Sequence, residues 1–164
     1  MGVLEFMPAG RRVMRLLATE PEKFAEEHGV KLHEVSQEVA KSSLDFMRTF
    51  SLETPPEWFG YLVVEGESQQ TVGVCSFKGP PVDGALEIAY YTFPGFEGRG
   101  IGTEMARFLV ERARQLPKVK RVIAYTAAEN NASTHILEKL GFTFTGEERD
   151  ETVTVWRWAI ELEG

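Results

Sequence analysis

Three glycines spaced two apart are the residues with the clearest chemical potential. They lie in the segment Gly98-Arg99-Gly100-Ile101-Gly102-Thr103, which follows a mostly apolar run. Glycine has no Cβ atom, so the backbone N–H groups of such a segment can approach a ligand closely. Where a segment opens a helix, its unpaired N–H groups and the positive end of the helix dipole favour phosphate oxygens. The pattern therefore indicates either a plain tight turn or an anion site suited to a pyrophosphate.

The spacing and the net charge narrow the kinds of phosphate ligand. The three glycines do not form G-x-G-x-x-G, and no Gly-Lys-Ser/Thr follows them. The protein has 18 Lys plus Arg against 25 Asp plus Glu, a formal charge of -7. Because this charge repels phosphate backbones, nucleic acid is not expected as a partner.

The hydrophobic pattern predicts the elements that position the glycines. Residues 86–93 alternate like a strand, and Ile101, Met105, Phe108 and Leu109 follow the spacing of an amphipathic helix that ends near Pro117. Elsewhere the pattern predicts strands at 4–7, 61–64, 71–77, 122–125, 142–145 and 153–160, a charged turn at 147–151, and helices at 11–17, 21–28, 35–50 and 133–140. This order predicts a mixed α/β (α+β) fold with a mostly antiparallel sheet and helices on both faces.

Length and composition suit one soluble domain spanning residues 1–164. Hydrophobic residues make up 43% of the 164 residues and charged residues 26%, enough for a core and an ordinary surface. The single cysteine, Cys75, excludes an internal disulfide, and its strand-like setting favours a buried side chain over a nucleophile. We find no leader peptide, no apolar run of about 20 residues and no metal-ligand spacing around His28 or His33. We expect a cytoplasmic protein without a metal or a membrane partner.

A second segment distinguishes a tight turn from an anion site. It follows a predicted strand and runs Asn130-Asn131-Ala132-Ser133-Thr134-His135-Ile136-Leu137-Glu138-Lys139-Leu140-Gly141-Phe142. It resembles the N-x-x-S-x-x-x-L-E-K-L-G-F element of the GNAT superfamily of N-acetyltransferases. The glycine segment resembles the P-x-x-Q/R-G-x-G-x-A/G signature of the same superfamily, in the expected order. The resemblance covers residues 3–162 and is closest to the bacterial branch that includes the ribosomal-protein amino-terminal acetyltransferases.

The resemblance implies a site for acetyl-CoA as acyl donor. In the family, the strand before the glycines separates from its neighbour and pairs with the pantetheine arm, which places Tyr91, Thr92 and Phe93 along that arm. Asn130 would hydrogen-bond the same arm, or alternatively cap the helix that follows it. The pyrophosphate would lie on the amides of Gly98, Arg99, Gly100, Ile101, Gly102 and Thr103.

Glu97 departs from the family pattern, which has Gln or Arg at this position. A carboxylate near a pyrophosphate is unfavourable, so we expect its side chain to point away or acetyl-CoA affinity to be reduced. Arg99 could compensate by pairing with a phosphate, or it could be an ordinary surface arginine.

Two residues are candidates for acid–base chemistry. Glu87 matches a position where several family members hold a general base, and an apolar strand would raise its pKa, although alternation could instead send it to a solvated face. Many relatives have a tyrosine acid at the position of Leu137, so Ser133 becomes the candidate acid here. The alternative for Ser133 is a structural role at the start of its helix. His135 is more typical of an exposed helix residue than of a proton carrier.

The resemblance implies transfer of an acetyl group from acetyl-CoA to a primary amine of a small molecule or a protein amino terminus. The alternatives are an acyl-CoA-binding regulatory domain with little or no turnover and a purely structural domain. A homodimer is expected only by analogy with the family. Acceptor specificity would lie in the least recognisable segments, among them the final hairpin, whose Trp156 and Trp158 indicate a core or dimer surface more than a substrate cage.

Overall fold

The computed structural model of the protein describes residues 2–149 and 151–162. Within them the backbone forms seven strands, five α-helices and one 3₁₀ turn. Residues 1–76 and 91–101 form a first unit, and residues 77–90 and 102–164 form a second. None of the helices within the described residues is both long and apolar enough to cross a membrane.

The first unit combines three helices with three antiparallel strands in the order β1-β2-β3. Its elements are β1 (Leu4–Ala9), α1 (Arg11–Thr19), α2 (Pro21–His28), α3 (Ser36–Met47), the 3₁₀ turn Pro56–Trp58, β2 (Gly60–Glu65) and β3 (Gln70–Phe77), of which Phe77 is counted with the second unit. Pro21 opens α2, where its missing N–H loses no hydrogen bond, and Gly29 ends the helix in the left-handed conformation. The helices bury one apolar stripe in a core that includes Met14, Leu17, Phe24, Leu62, Val64 and Phe93.

The second unit has two helices and four strands in the order β4-β5-β7-β6. Its elements are β4 (Ala85–Thr92), α4 (Ile101–Arg114), β5 (Arg121–Ala127), α5 (Ala132–Lys139), β6 (Thr143–Arg149) and β7 (Thr154–Glu161); the last two residues of β4 and the first of α4 are counted with the first unit. Strands β4 and β5 are parallel, whereas β7 is antiparallel to both β5 and β6.

The pairing of β4 with β5 ends before either strand does. Their register runs from Ala85 opposite Arg121 to Ile88 opposite Ala124, although β4 continues to Thr92 and β5 to Ala127. Ala89 and Tyr90, which belong to the same unit as β5, have no register partner on that strand. The two strands therefore separate beyond Ile88, which leaves backbone N–H and C=O groups of β4 unpaired on that side.

The predicted mixed, mostly antiparallel α/β fold is confirmed, since only β4 and β5 are parallel among the strand pairs within the units. The predicted helices and strands all form, with ends that differ by a few residues. One prediction is wrong: the charged segment 147–151 is not all turn, because β6 continues to Arg149. The charges misled the assignment because β6 is exposed along nearly its whole length and needs no apolar alternation.

Candidate functional site

Residues 94–100 form an exposed turn between β4 and α4, the glycine turn, which includes Gly98 and Gly100 of the glycine segment. Gly98 and Gly100 have φ angles of 77° and 81°, a conformation that other residues rarely adopt. A Cβ atom built on either glycine would meet nothing within 4 Å. The turn therefore requires glycine for its backbone shape while its surface stays open. Because α4 begins at Ile101, the unpaired N–H groups of its first turn follow directly, and they favour an anion.

The side chains of Glu97 and Arg99 both contact other residues of the turn. Glu97 Oε1 accepts a hydrogen bond from the Gly95 N–H at 2.7 Å. Its own backbone N–H and that of Gly95 lower the pKa of the Glu97 carboxyl, so it stays ionised at neutral pH. The guanidinium of Arg99 lies 5.0 Å from the centre of the Phe96 ring, a cation–π contact. Glu97 thus has a structural partner within the turn, and Arg99 is an exposed cation beside it.

The three residues expected to line the pantetheine arm differ in how exposed they are to solvent. Tyr91 is 45% exposed and Thr92 is half-buried. Phe93 is fully buried in the core of the first unit, where its N–H donates to the Val72 carbonyl at 2.9 Å. Its carbonyl accepts the Phe96 N–H at 3.1 Å. Phe93 therefore fixes the end of β4, and the remaining candidates for the arm are Tyr91 and Thr92.

The residue that caps α5 is Asn131, not Asn130. Asn131 Oδ1 accepts the Thr134 N–H at 3.0 Å, and Thr134 Oγ1 accepts the Asn131 N–H at 3.0 Å, which together form a capping box. The capping alternative for Asn130 is therefore wrong. The Asn-x-x-Thr spacing was visible in the sequence and could have shown this. Asn130 is exposed, so its side chain is not committed to the helix start.

Ser133 is joined to a residue that the sequence analysis missed. Its hydroxyl lies close enough to the Tyr90 side chain to lower the pKa of the phenol, and Tyr90 follows the last paired part of β4 by two positions. Burial raises the pKa of Tyr90 to about 12, and the Ser133 hydroxyl offsets part of that rise. The capping box of α5 is formed by Asn131 and Thr134 and does not include Ser133. Leu137, one turn later, is fully buried, and His135 is exposed.

Glu87 belongs to a different cluster. It is half-buried, and burial raises the pKa of its carboxyl, as does the negative charge of Glu148, whereas the Lys78 charge lowers it. The Tyr125 hydroxyl donates to Glu148 Oε2 at 3.4 Å, and Arg157 lies opposite Tyr125 in the β5–β7 register. The pKa of Tyr125 is raised by burial first and then by the carboxylate of Glu148. Glu87 is therefore not on a freely solvated face.

The structure brings Tyr90 to Ser133 but does not bring Glu87 to them. Along a strand, residues an odd number of positions apart point to opposite faces. Tyr90 shares a face with the buried Leu86 and Ile88, whereas Glu87 points to the other face. Two chemically distinct groups thus flank β4 at the point where it separates from β5.

The remaining residues that the sequence analysis considered lie outside the cluster around β4. The Trp158 Nε1–H donates to Thr126 Oγ1 at 3.0 Å in a buried position, and Trp156 contacts Phe144 beside it, which supports the core interpretation. Cys75 is buried, which raises the pKa of its thiol and makes it a poor nucleophile. In the described part of the chain no cluster of His, Cys, Asp and Glu could hold a metal ion. His33 lies between α2 and α3, and its ring contacts the turn at the Pro94 carbonyl.

Comparisons with known proteins show which family the chain resembles. The sequence model of the acetyltransferase (GNAT) domain matches residues 11–143. Over 104 residues the chain is 30% identical to L-amino acid N-acyltransferase MnaT of Escherichia coli K12, and 31% identical to L-methionine sulfoximine/L-methionine sulfone acetyltransferase of Salmonella typhimurium. Each match covers 60% of this chain and 60% of the relative, which is less than two thirds of the relative's length.

Solved structures share the fold at low sequence identity. One is RimL, a ribosomal L7/L12 alpha-N-protein acetyltransferase in complex with coenzyme A, with a TM-score of 0.65 and 16% identity over 99% of this chain and 96% of that one. Another is the N-acetyltransferase PseH of Campylobacter jejuni, with a TM-score of 0.61 and 17% identity over 98% of each chain. At these identities the likeness shows the fold alone.

Proposed function

The chain belongs to the GNAT acetyltransferase family, and we propose that it transfers an acetyl group from acetyl-CoA to a primary amine. The observation that carries this proposal is the early end of the β4–β5 pairing at Ile88. A strand with unpaired backbone groups can accept an extended ligand as an additional strand. In this chain that strand leads directly into an open glycine turn and a helix start, the features that bind a pyrophosphate. We propose that residues 1–164 act as one domain.

The proposed acetyl-CoA contacts follow the chain from β4 into α4. Tyr91 and Thr92 would pair with the pantetheine arm through their backbone groups, and Asn130, which has no capping role, would hydrogen-bond the same arm. The N–H groups of Gly98, Arg99, Gly100, Ile101, Gly102 and Thr103 would bind the pyrophosphate. The guanidinium of Arg99 would leave the Phe96 ring to pair with a phosphate, and this exchange is favourable because an ion pair is stronger than an exposed cation–π contact.

The proposed chemistry is a direct attack of the amine on the thioester carbonyl. The attacking amine must be neutral, so a base has to hold the proton that the amine loses as the C–N bond forms. Glu87 suits this role because burial and the Glu148 charge raise the pKa of its carboxyl. The C–S bond breaks in the same sequence, and the departing thiolate takes a proton to leave as CoA. Ser133 would donate that proton, Tyr90 would pass its own proton to Ser133, and solvent would then return a proton to the Tyr90 phenolate, which is readily protonated at neutral pH because the pKa of Tyr90 is about 12.

The opposite orientations of Glu87 and Tyr90 support this division of roles. The amine loses its proton to one group and the thiolate gains a proton from another, and the two events need no shared side chain. Where β4 leaves β5, the unpaired backbone edge of β4 lies between its two faces. A thioester lying along unpaired β4 would therefore have the base on one side and the Tyr90–Ser133 pair on the other.

The relatives and the composition support one acceptor class, one cellular location and one oligomeric state. The relatives are named for amino acids or their analogues and for a ribosomal protein, so a small amine or a protein amino terminus is the proposed acceptor class. We propose that the protein is cytoplasmic, forms a homodimer and has no nucleic acid or membrane partner, as its acidic composition and its family favour.

Measuring CoA thiol release across a panel of amines, amino acids and peptides tests the proposed function. We expect release that depends on both acetyl-CoA and one class of acceptor. The alternative function, an acyl-CoA-binding regulatory domain, is favoured by one observation: Leu137 replaces the usual tyrosine and is fully buried. Tight calorimetric binding of acetyl-CoA without acceptor-dependent release would establish that alternative. Absence of any acetyl-CoA binding would reject both.

A further inference from the structure

The connection between α2 and α3 contacts the glycine turn through one side chain. His33 Nε2 lies 2.8 Å from the carbonyl oxygen of Pro94, the first residue after Phe93 at the start of the turn. Its ring packs against Phe93, with centroids 5.3 Å apart, and against the edge of Phe96, with centroids 6.0 Å apart. The same imidazole therefore contacts the beginning of the turn by a hydrogen bond and its middle by an aromatic ring.

The partners of the imidazole determine its protonation state. The Pro94 carbonyl can only accept a hydrogen bond, so Nε2 carries a proton. Nδ1 lies 3.1 Å from the backbone N of Val35, whose N–H can only donate, so Nδ1 is unprotonated. Both contacts exist together only in the neutral ring with its proton on Nε2. A second proton, on Nδ1, would face the Val35 N–H and break that hydrogen bond.

Both sides of the His33–Pro94 contact are attached to the same strand. The His33 N–H donates to Thr71 Oγ1 at 2.8 Å, and the buried Thr71 donates its N–H to the Lys31 carbonyl at 2.9 Å. The next residue of β3, Val72, accepts the Phe93 N–H at 2.9 Å. The backbone of His33 and the start of the turn are thus hydrogen-bonded to neighbouring residues of β3, Thr71 and Val72. The His33–Pro94 hydrogen bond connects these two attachments within the first unit.

We propose that His33 is a positioning residue for acyl-CoA: its neutral imidazole holds the Pro94–Phe96 part of the glycine turn in the shape that binds the pyrophosphate, so that protonation of His33 weakens acyl-CoA binding. This inference rests on the proposed function. It concerns the conformation of the turn and assigns His33 no contact with the acyl donor.

Carboxylates face His33 from three segments. Glu97 interacts with His33 from the turn, Glu34 is its chain neighbour, and Glu22 of α2 lines the same surface cavity as His33. Each of these carboxylates would attract an imidazolium. An imidazolium would also attract the Glu97 carboxylate, which otherwise accepts the Gly95 N–H. Acidification therefore acts on the turn twice, by removing the Val35 hydrogen bond and by competing for Glu97. Arg99, which lies over the Phe96 ring, is the cation of the turn and would repel an imidazolium.

The decisive variant is His33→Asn, which can still accept the Val35 N–H but cannot reach the Pro94 carbonyl. We expect its acetyl-CoA affinity at about pH 8 to be about tenfold weaker than that of the parent, the effect of one lost hydrogen bond together with the ring contacts. His33→Gln, with a terminal amide N–H near the position of Nε2, should restore part of the loss. The matched control is His28→Gln, because His28 packs against Phe24 in α2 and does not touch the turn.

Calorimetry at about pH 8 and about pH 5.5, a range in which imidazoles ordinarily gain a proton, separates positioning from a general loss of stability. The ratio of parent to His33→Asn affinity cancels the titration of the CoA phosphates, and we expect this ratio to fall towards one at the lower pH. Steady-state kinetics should show a raised KM for acetyl-CoA with kcat unchanged. A ratio that is one at both pH values, or that does not change with pH, overturns the inference.

Backbone NMR of the unliganded protein keeps the inference separate from the proposed function. The amide signals of Gly95, Phe96, Gly98 and Gly100 should shift with the titration of the His33 ring in the parent and not in His33→Gln. If these signals ignore the His33 titration, the positioning role is wrong, whatever the protein binds. If they follow it while the parent does not bind acetyl-CoA, the proposed function fails and the pyrophosphate part of this inference fails with it.

Discussion

Replacing Ser133 by Ala tests whether the Tyr90–Ser133 pair protonates the departing thiolate. The stability effect can be estimated from the structure, because Asn131 and Thr134 cap α5 without Ser133. The substitution therefore removes one polar contact with a half-buried tyrosine, which costs about 1 kcal/mol. For a chain of this length that loss lowers Tm by about 2 to 4 °C. Ser133→Ala should remain fully folded at assay temperature.

The kinetic effect should be much larger than the stability effect. Loss of a general acid typically lowers the rate about 10² to 10⁴-fold, and protonation of the leaving group matters chiefly in the transition state. We therefore expect kcat to fall by this factor in Ser133→Ala while calorimetric acetyl-CoA affinity is unchanged. Tyr90→Phe, which leaves the Ser133 hydroxyl in place, should lose less. His135→Ala is the matched control, since His135 is an exposed neighbour on α5.

The raised pKa of Tyr90 gives a second signature of the pair. Tyrosine in an unfolded chain titrates near ~10, whereas Tyr90 in the folded protein titrates at about 12. A raised folded pKa contributes stability that is fully present below the unfolded pKa and is lost as pH rises through the folded value. Denaturant unfolding between about pH 9 and about pH 12 should therefore show an alkaline loss of stability that Tyr90→Phe reduces.

A folded Ser133→Ala protein that turns over its acceptor at the parent rate, with only a lowered Tm, would refute the acid role. Water or a backbone group would then supply the proton. An equal loss of kcat in Ser133→Ala and His135→Ala would refute it as well, because the exposed histidine has no path to Tyr90.

Three further predictions concern the turn and the proposed base. Gly100→Glu should abolish calorimetric acetyl-CoA binding without unfolding the protein, because the new side chain has open space but carries negative charge into the turn. The control Gly100→Ala has the same backbone strain of about 1 to 2 kcal/mol and should retain binding. Equal acetyl-CoA affinities of the two variants would show that Gly100 is not part of the site. Glu97→Gln keeps an oxygen for the Gly95 N–H and removes a charge, so acetyl-CoA affinity at low salt should rise about threefold; an unchanged affinity would mean that the carboxylate does not face the phosphates. Glu148→Gln should shift the acidic limb of the kcat/KM profile to lower pH, because Glu148 raises the pKa of Glu87 and a base must lose its proton to act; an acidic limb that stays in place would argue against Glu87 as the base.

The fold was largely predictable because its elements carry local signals. Pro21 and Gly29 marked both ends of α2, and the period of apolar residues changed where the chain passed from helices to strands. The strand β6 was predicted too short because neither of its faces is buried, so its charged second half carried no alternation. The separation of β4 from β5 had no local signal, since it depends on the register between segments far apart in the chain.

The candidate site was predictable only where its residues are consecutive. The glycine turn and the start of α5 each occupy one short segment, so the family resemblance could be recognised there in the sequence. The contacts of the turn with His33 and of Tyr125 with Glu148 join residues 61 and 23 positions apart. No spacing rule links such residues, because only the folded register brings them together.

The absence of a tyrosine at position 137 does not by itself favour an inactive domain. Ser133 and Leu137 are four residues apart and lie on the same face of α5. Leu137 is fully buried, so a side chain at that position packs into the core of the unit and cannot be replaced by a solvent-reaching phenol without repacking. One turn earlier on α5, Ser133 interacts with the phenol of Tyr90, a residue of strand β4. A phenol is therefore present beside this helix although it comes from a strand, and a buried Leu137 is compatible with turnover.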